Sequence, residues 1–104
     1  SNNEFIQIVE KVKALFDPSE YSVTHAFLEI EPPFLSEQLP LVIAQGYSTI
    51  DIFPYFLNAG THVDRDIPQI ISKVQSHNPH CAITQLPYIG SFHGMAELIF
   101  SQIR

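Results

Sequence analysis

Apolar residues recur along this chain at two periods, and the switches between them divide it into alternating helices and strands. Phe5, Ile8, Val9, Val12, Leu15 and Phe16 stand at helical spacing and form one stripe. Ser1 and Glu4 precede them in the S-x-x-E spacing of a capping box, and Asp17-Pro18 ends the run. Tyr21 to Leu28 alternates and is rich in β-branched and aromatic residues, which predicts a strand ending near Glu29. A second helix is predicted from Pro32-Pro33 to Gly46, with Pro40 inside it expected to kink or shorten it. Ser48 to Phe53 reads as a short strand closed by Pro54, and Tyr55 to Arg65 as a loop. Asp66 is expected to cap a third helix whose buried face is Ile67, Ile70, Ile71 and Val74, with Pro68 in its first turn. Asn78-Pro79 ends that helix, Cys81 to Leu86 reads as a strand, and a last helix covers Gly94 to Ile103. Its residues Met95, Leu98, Ile99 and Ile103 are expected to face inward.

The order α-β-α-β-α-β-α predicts an α/β fold with a parallel sheet and helices on both faces. At 104 residues there is room for one core, so residues 1–104 are taken as a single domain. An α/β unit of this kind ordinarily begins with a strand, and this chain begins with a helix.

Charge narrows the function. Five Lys and Arg against eleven Asp and Glu leave a formal net charge of −6, which argues against nucleic acid and against an anionic membrane surface as partners. The single cysteine, Cys81, rules out an internal disulfide framework and is expected to be a small buried hydrophobe. No apolar run approaches the roughly 20 residues that span a bilayer. A soluble, cytoplasmic domain is the expectation. The P-loop, G-x-G-x-x-G, C-x-x-C, H-E-x-x-H and G-x-S-x-G patterns are absent.

Ligands of open parallel sheets bind beyond the carboxyl ends of the strands, and three polar clusters fall there: Glu29, the loop from Pro54 to Pro68 containing His62, and Ile89-Gly90-Ser91-Phe92-His93. A carboxylate and two imidazoles on one rim can bind a divalent metal or move protons. Each has a plainer reading as well. Glu29 suits a solvated strand end or a helix cap, and His62 and His93 suit structural roles. Asp64 suits an exposed loop acid, His25 a packed or edge position, and His77 and His80 solvent.

Ala26-Phe27-Leu28-Glu29, then Pro54-x-Phe56-Leu57-x-x-Gly60-x-His62-Val63-x-x-Asp66-Ile67-Pro68, and finally Gly90-Ser91-x-His93 resemble the sirohydrochlorin chelatases of the small cobaltochelatase and ferrochelatase type, the class II chelatases. The resemblance runs in order through nearly the whole chain. It implies a chelatase-like three-layer sandwich and the insertion of cobalt, ferrous iron or nickel into a sirohydrochlorin-type tetrapyrrole, on the routes to cobalamin or siroheme. His62 matches the family's histidine and Glu29 its acid, both as catalytic groups and as metal ligands. The divalent metal is a substrate, and no organic cofactor is implied. Short members work as homodimers, and longer ones fuse two such domains. The family's H-G-S-R-like motif and its first strand would lie before Ser1. A segment of roughly a dozen residues is therefore expected there, or another chain in its place.

The implied substrate carries eight carboxylates, so a chain of net charge −6 must recruit it through local donors. Arg65, Thr61, Ser91 and His93 are the candidates, together with the helix N-termini near Asp66 and Gly94. Two competing readings are a non-catalytic tetrapyrrole- or metal-binding chelatase-like domain and a flavodoxin-like contact module.

Overall fold

The computed structural model describes residues 2–103; Ser1, and with it the proposed capping box, lies outside the described residues. Four helices frame two parallel strands: α1 (Asn2–Lys13), α2 (Leu35–Ala44), β1 (Thr49–Ile52), α3 (Ile67–His77), β2 (Ala82–Gln85) and α4 (Gly94–Ile103). A π-helical turn over His62–Asp66 leads into α3, and a 3-10 turn over Ile89–Ser91 precedes α4. The predicted α/β architecture with a parallel sheet stands, and the bounds of β1, β2 and α4 fall within two residues of those expected.

The strands pair with Thr49 opposite Ala82 and Ile52 opposite Gln85. Alternation puts Ile50, Ile52, Ile83 and Gln85 on a half-covered face, and Thr49, Asp51, Ala82 and Thr84 on an exposed one. α3 packs on β2 and against α2. Gln75 ties it down: its side chain accepts from the Ile83 N–H at 3.2 Å and donates to the carbonyls of Asn78, at 3.0 Å, and Cys81. The buried apolar residues of the core include Val9, Leu39, Val63, Ile67, Val74 and Cys81. Cys81 is as deeply packed as expected, with its Sγ 3.6 Å from the Tyr47 carbonyl oxygen.

Three expectations fail. The segment from Tyr21 to Leu28 is not a strand. A strand needs a neighbour to take its N–H and C=O groups, and residues 22–26 make no backbone–backbone hydrogen bond among the described residues. Only Phe27 forms a bridge, to Phe34, through Phe27 N–H to the Pro33 carbonyl (2.7 Å) and Leu35 N–H to the Phe27 carbonyl (2.8 Å). Second, α2 does not span Pro32 to Gly46: it is shorter, running from Leu35, after a cis Pro32-Pro33 bond, to Ala44, with Pro40 inside it. Third, α4 does not bury its apolar face. Leu98, Ile99 and Ile103 are more than half exposed, because the helix rests mainly on the 3-10 turn. Leu15 of the first stripe is also exposed, while Phe5 packs edge-on to Phe27, with ring centres 5.6 Å apart. The radius of gyration is accordingly 14.9 Å, where a compact chain of this length would measure about 13 Å.

Candidate functional site

The described site gathers beyond the carboxyl end of β1, where the loop from Phe53 returns to α3. Gly60 has φ +37°, a conformation that costs glycine little, and its carbonyl accepts from the Asp64 N–H at 3.0 Å. The chain then enters the π turn, closed by the Ile67 N–H bonding to the His62 carbonyl. Val63 is buried and its carbonyl takes a 3.0 Å bond from the Gln85 side chain at the end of β2. His62 therefore stands on a turn anchored to the end of β2 and continuous with α3.

Its ring is held on two sides. The Asp66 carboxylate accepts from Nδ1 at 2.8 Å, and the Phe56 ring lies 5.6 Å away, centre to centre, tilted by 32°. With Nδ1 carrying the proton, Nε2 presents its lone pair on the far side of the ring. The group it faces is the Glu29 carboxylate, 3.6 Å from Nε2. Two chain segments far apart in sequence thus place a nitrogen and an oxygen donor opposite each other.

Asp66 is not the helix cap that its position suggested. Its backbone is already helical (φ −67°, ψ −49°), and its side chain makes no capping bond. The carboxylate instead accepts from His62 and, at 3.1 Å, from Arg65 Nε. The His62 bond, with the Arg65 bond behind it, holds the Asp66 carboxyl below its ordinary value of 3.8, so it stays ionised in neutral solution.

Glu29 has a different support. Glu31 N–H bonds back to the Glu29 carbonyl at 2.9 Å, closing a tight turn around Ile30 at φ 77°. A β-branched residue in that region is strained, and Ile30 is 93% exposed, so packing does not offset the cost. The Phe27–Phe34 bridge closes the base of this loop, and Asn2 bonds to the Glu31 carboxylate at its tip.

Phe56 is positioned from the other side. Gly90 N–H bonds to the Phe56 carbonyl at 3.1 Å and Ile89 N–H to the Pro54 carbonyl at 3.2 Å. A Cβ on Gly90 would fall on the Leu57 carbonyl oxygen, so glycine is required for the 3-10 turn to come this close.

Beside His62 opens a hollow of about 370 Å³, with Leu28, Glu29 and Ser36 on one side. The helical run supplies its other wall: His62, Asp66, Gln69, Ile70 and Lys73 share one face. A larger hollow of about 530 Å³ at the end of α1 includes no histidine or carboxylate in its lining. Of the residues proposed from sequence, His62 and Glu29 are brought together. Thr61, Arg65, Ser91 and His93 do not line the hollow: Arg65 engages Asp66, the Ser91 hydroxyl donates to the Tyr88 carbonyl at 2.6 Å, and His93 is exposed. Ser36, Gln69 and Lys73 escaped the sequence reading. The spacing 62, 66, 69, 70, 73 was the available signal, masked by taking 55–65 as loop. Among the described residues, no set of three or more His, Cys, Asp or Glu is gathered as a metal cage, and no helix is long and apolar enough to cross a membrane.

A family model described as CbiX matches residues 1–104. The chain is 33% identical over 70 residues to a protein of Methanococcus aeolicus named sirohydrochlorin cobaltochelatase, an overlap covering 66% of this chain and 47% of that one. A protein of the same name from Sulfurisphaera tokodaii is 31% identical over 70 residues, covering 67% and 55%. The chain thus spans about half the length of these curated relatives. A crystal structure of a cobalamin (vitamin B12) biosynthesis CbiX protein from Marinobacter aquaeolei VT8 superposes with a TM-score of 0.65 at 23% identity, covering 93% of this chain and 82% of that one. That likeness establishes the fold.

Proposed function

The chain belongs to the CbiX family, and from that premise we propose that it inserts cobalt(II) into a sirohydrochlorin-type tetrapyrrole. The name shared by the relatives supports the metal and the macrocycle. The observation that carries the reading is the opposition of His62 Nε2 and Glu29 Oε1 across 3.6 Å at the edge of a hollow.

The overall change is the exchange of two pyrrole N–H protons for one divalent ion. Imidazole nitrogen is a good donor for cobalt(II), and a carboxylate adds an oxygen donor or accepts a departing proton. A pair of protein donors leaves most of the ion's coordination sphere for water and then for the pyrrole nitrogens, which suits a metal that must be handed on. Glu29 is 66% exposed at its side chain, so a proton taken there passes on to solvent. Asp66 keeps the Nδ1 proton in place, so that Nε2 is the nitrogen offered. Cobalt is the metal, ahead of iron and nickel, and the work belongs to cobalamin synthesis in the cytoplasm. No organic cofactor is used. The working unit is a homodimer or one half of a two-domain chain.

The test is anaerobic mixing of the chain, sirohydrochlorin and cobalt(II), followed by the absorption spectrum. The chain should accelerate insertion, and His62→Ala should remove about a hundredfold or more of that acceleration, within the range of proton-transfer and ligand losses. Glu29→Ala should remove roughly tenfold, at the lower edge of that range. An insertion rate equal to the protein-free rate would sink the enzyme reading. Tight binding without acceleration would leave the chain a tetrapyrrole-binding domain.

A further inference from the structure

The hollow beside His62 is lined by two chemically different sets of groups. One is Glu29 and His62, with Asp66 using both carboxylate oxygens, one for His62 and one for Arg65. Farther along α3 are Gln69 and Lys73, and Ser36 on α2 lines the same hollow. Among the described residues, none of the three side chains makes a hydrogen bond or ion pair. The charge balance makes this second set unusual. Of the other basic residues, Arg104 lies outside the described residues, Lys11 and Lys13 are on α1, and Arg65 is held by Asp66. Lys73 is the described cation that lines the hollow.

We propose that Lys73, with Gln69 and Ser36, forms a subsite for a carboxylate side arm of the tetrapyrrole, and this rests on the reading of the hollow given above. An ammonium, an amide N–H and a hydroxyl are three donors, and a carboxylate has lone pairs for all of them. The geometry suits the ligand. His62, on the π turn, and Lys73, a little under two turns into α3, line the same hollow. Helical side chains lean toward the N-terminus, so the ammonium reaches back toward His62. A metal-bearing ring centre near His62 and a peripheral acid near Lys73 then belong to one molecule. The hollow holds an edge of such a macrocycle rather than the whole, so one arm seats while the ring lies over His62 and Glu29. The subsite also answers the charge problem. A chain of net charge −6 repels an octacarboxylate at long range, and a lone cation in the hollow selects the orientation in which the anionic side chains, Glu29 and Asp66, meet the ring and not its acids.

The experiment is metal-free titration of sirohydrochlorin into the chain, read by absorption. Lys73→Gln should weaken binding roughly threefold to fivefold, the scale of an exposed ion pair, and Lys73→Arg should restore it. The gap between Lys73→Gln and the unaltered chain should close in about 1 M salt, where screening acts within roughly 3 Å. Lys13→Gln, which removes an equal charge on α1, should leave the affinity unchanged. Equal affinities for Lys73→Gln and the unaltered chain would overturn the subsite while leaving the chelatase reading intact. An equal loss in Lys13→Gln would overturn it too, by reducing the effect to net charge. Failure of the unaltered chain to bind sirohydrochlorin would overturn both.

Discussion

α3 and α4 are helices of similar length with apolar residues at similar spacing, and they have opposite fates. α3 buries Ile67 and Val74, is fastened to β2 by Gln75, and is continuous with a π turn fastened to the other end of β2 by Gln85. α4 buries nothing; Leu98, Ile99, Phe100 and Ile103 are all more than half exposed. The helical period specifies which residues share a face, and it is silent on whether any surface waits to receive them. His62, Asp66 and Lys73 all sit on the fastened run. Of the proposed donor pair, His62 stands on this rigid run, as precise placement of a functional group requires, and Glu29 stands on the exposed turn opposite.

The largest test of the contrast is a pair of leucines. Leu39→Ala, at a residue 2% exposed in α2 beside α3, should cost about 3 kcal/mol in chemical denaturation, as core truncations do. Leu98→Ala, 56% exposed in α4, should cost less than about 0.5 kcal/mol. Equal losses would erase the distinction between the two regions. Gly90→Ala probes the seam between them. Its Cβ has no room against Leu57, so a loss of about 1–3 kcal/mol is expected, with slower cobalt insertion as Phe56 shifts from His62. Unchanged stability and rate would show that this close approach positions nothing.

The smallest effect is that of pH at Asp66. Its carboxyl is held down chiefly by the His62 bond and then by Arg65, so folding favours its ionised form. That stabilisation is complete above the unfolded value near 3.8 and fades as pH falls through the lower folded value. Asp66→Asn should therefore be slightly less stable than the unaltered chain at pH 6, and the difference should narrow below pH 4. A difference that stays constant from pH 6 to pH 3 would show that the carboxylate's charge is not what matters.

Much of this was legible in the residues. β1, β2, α3 and α4 follow from periodicity and from the Pro and Gly that bound them, because those signals are local. The segment Tyr21–Leu28 misled because alternation describes a backbone fit for a sheet, while a ladder also needs a partner elsewhere in the chain. Asp66 misled for a related reason. An acid before Ile67-Pro68 has the look of a cap, but the π turn starts the helical path at His62 and turns the side chain to the imidazole. Glu29 and His62 were visible through a long motif. Lys73 was not, since one lysine on a polar helix face looks like any other until the wall opposite is known.

The bare apolar face of α4 and the exposed end of the first apolar stripe give the chain's charge a second task, in the domain of colloids. Val12, Leu15, Leu98, Ile99 and Ile103 offer sticky patches to any molecule that approaches, and a net charge of −6 keeps identical molecules apart. Near its isoelectric point of about 5.1 that protection vanishes, and the faces left uncovered within one molecule are free to find each other between molecules.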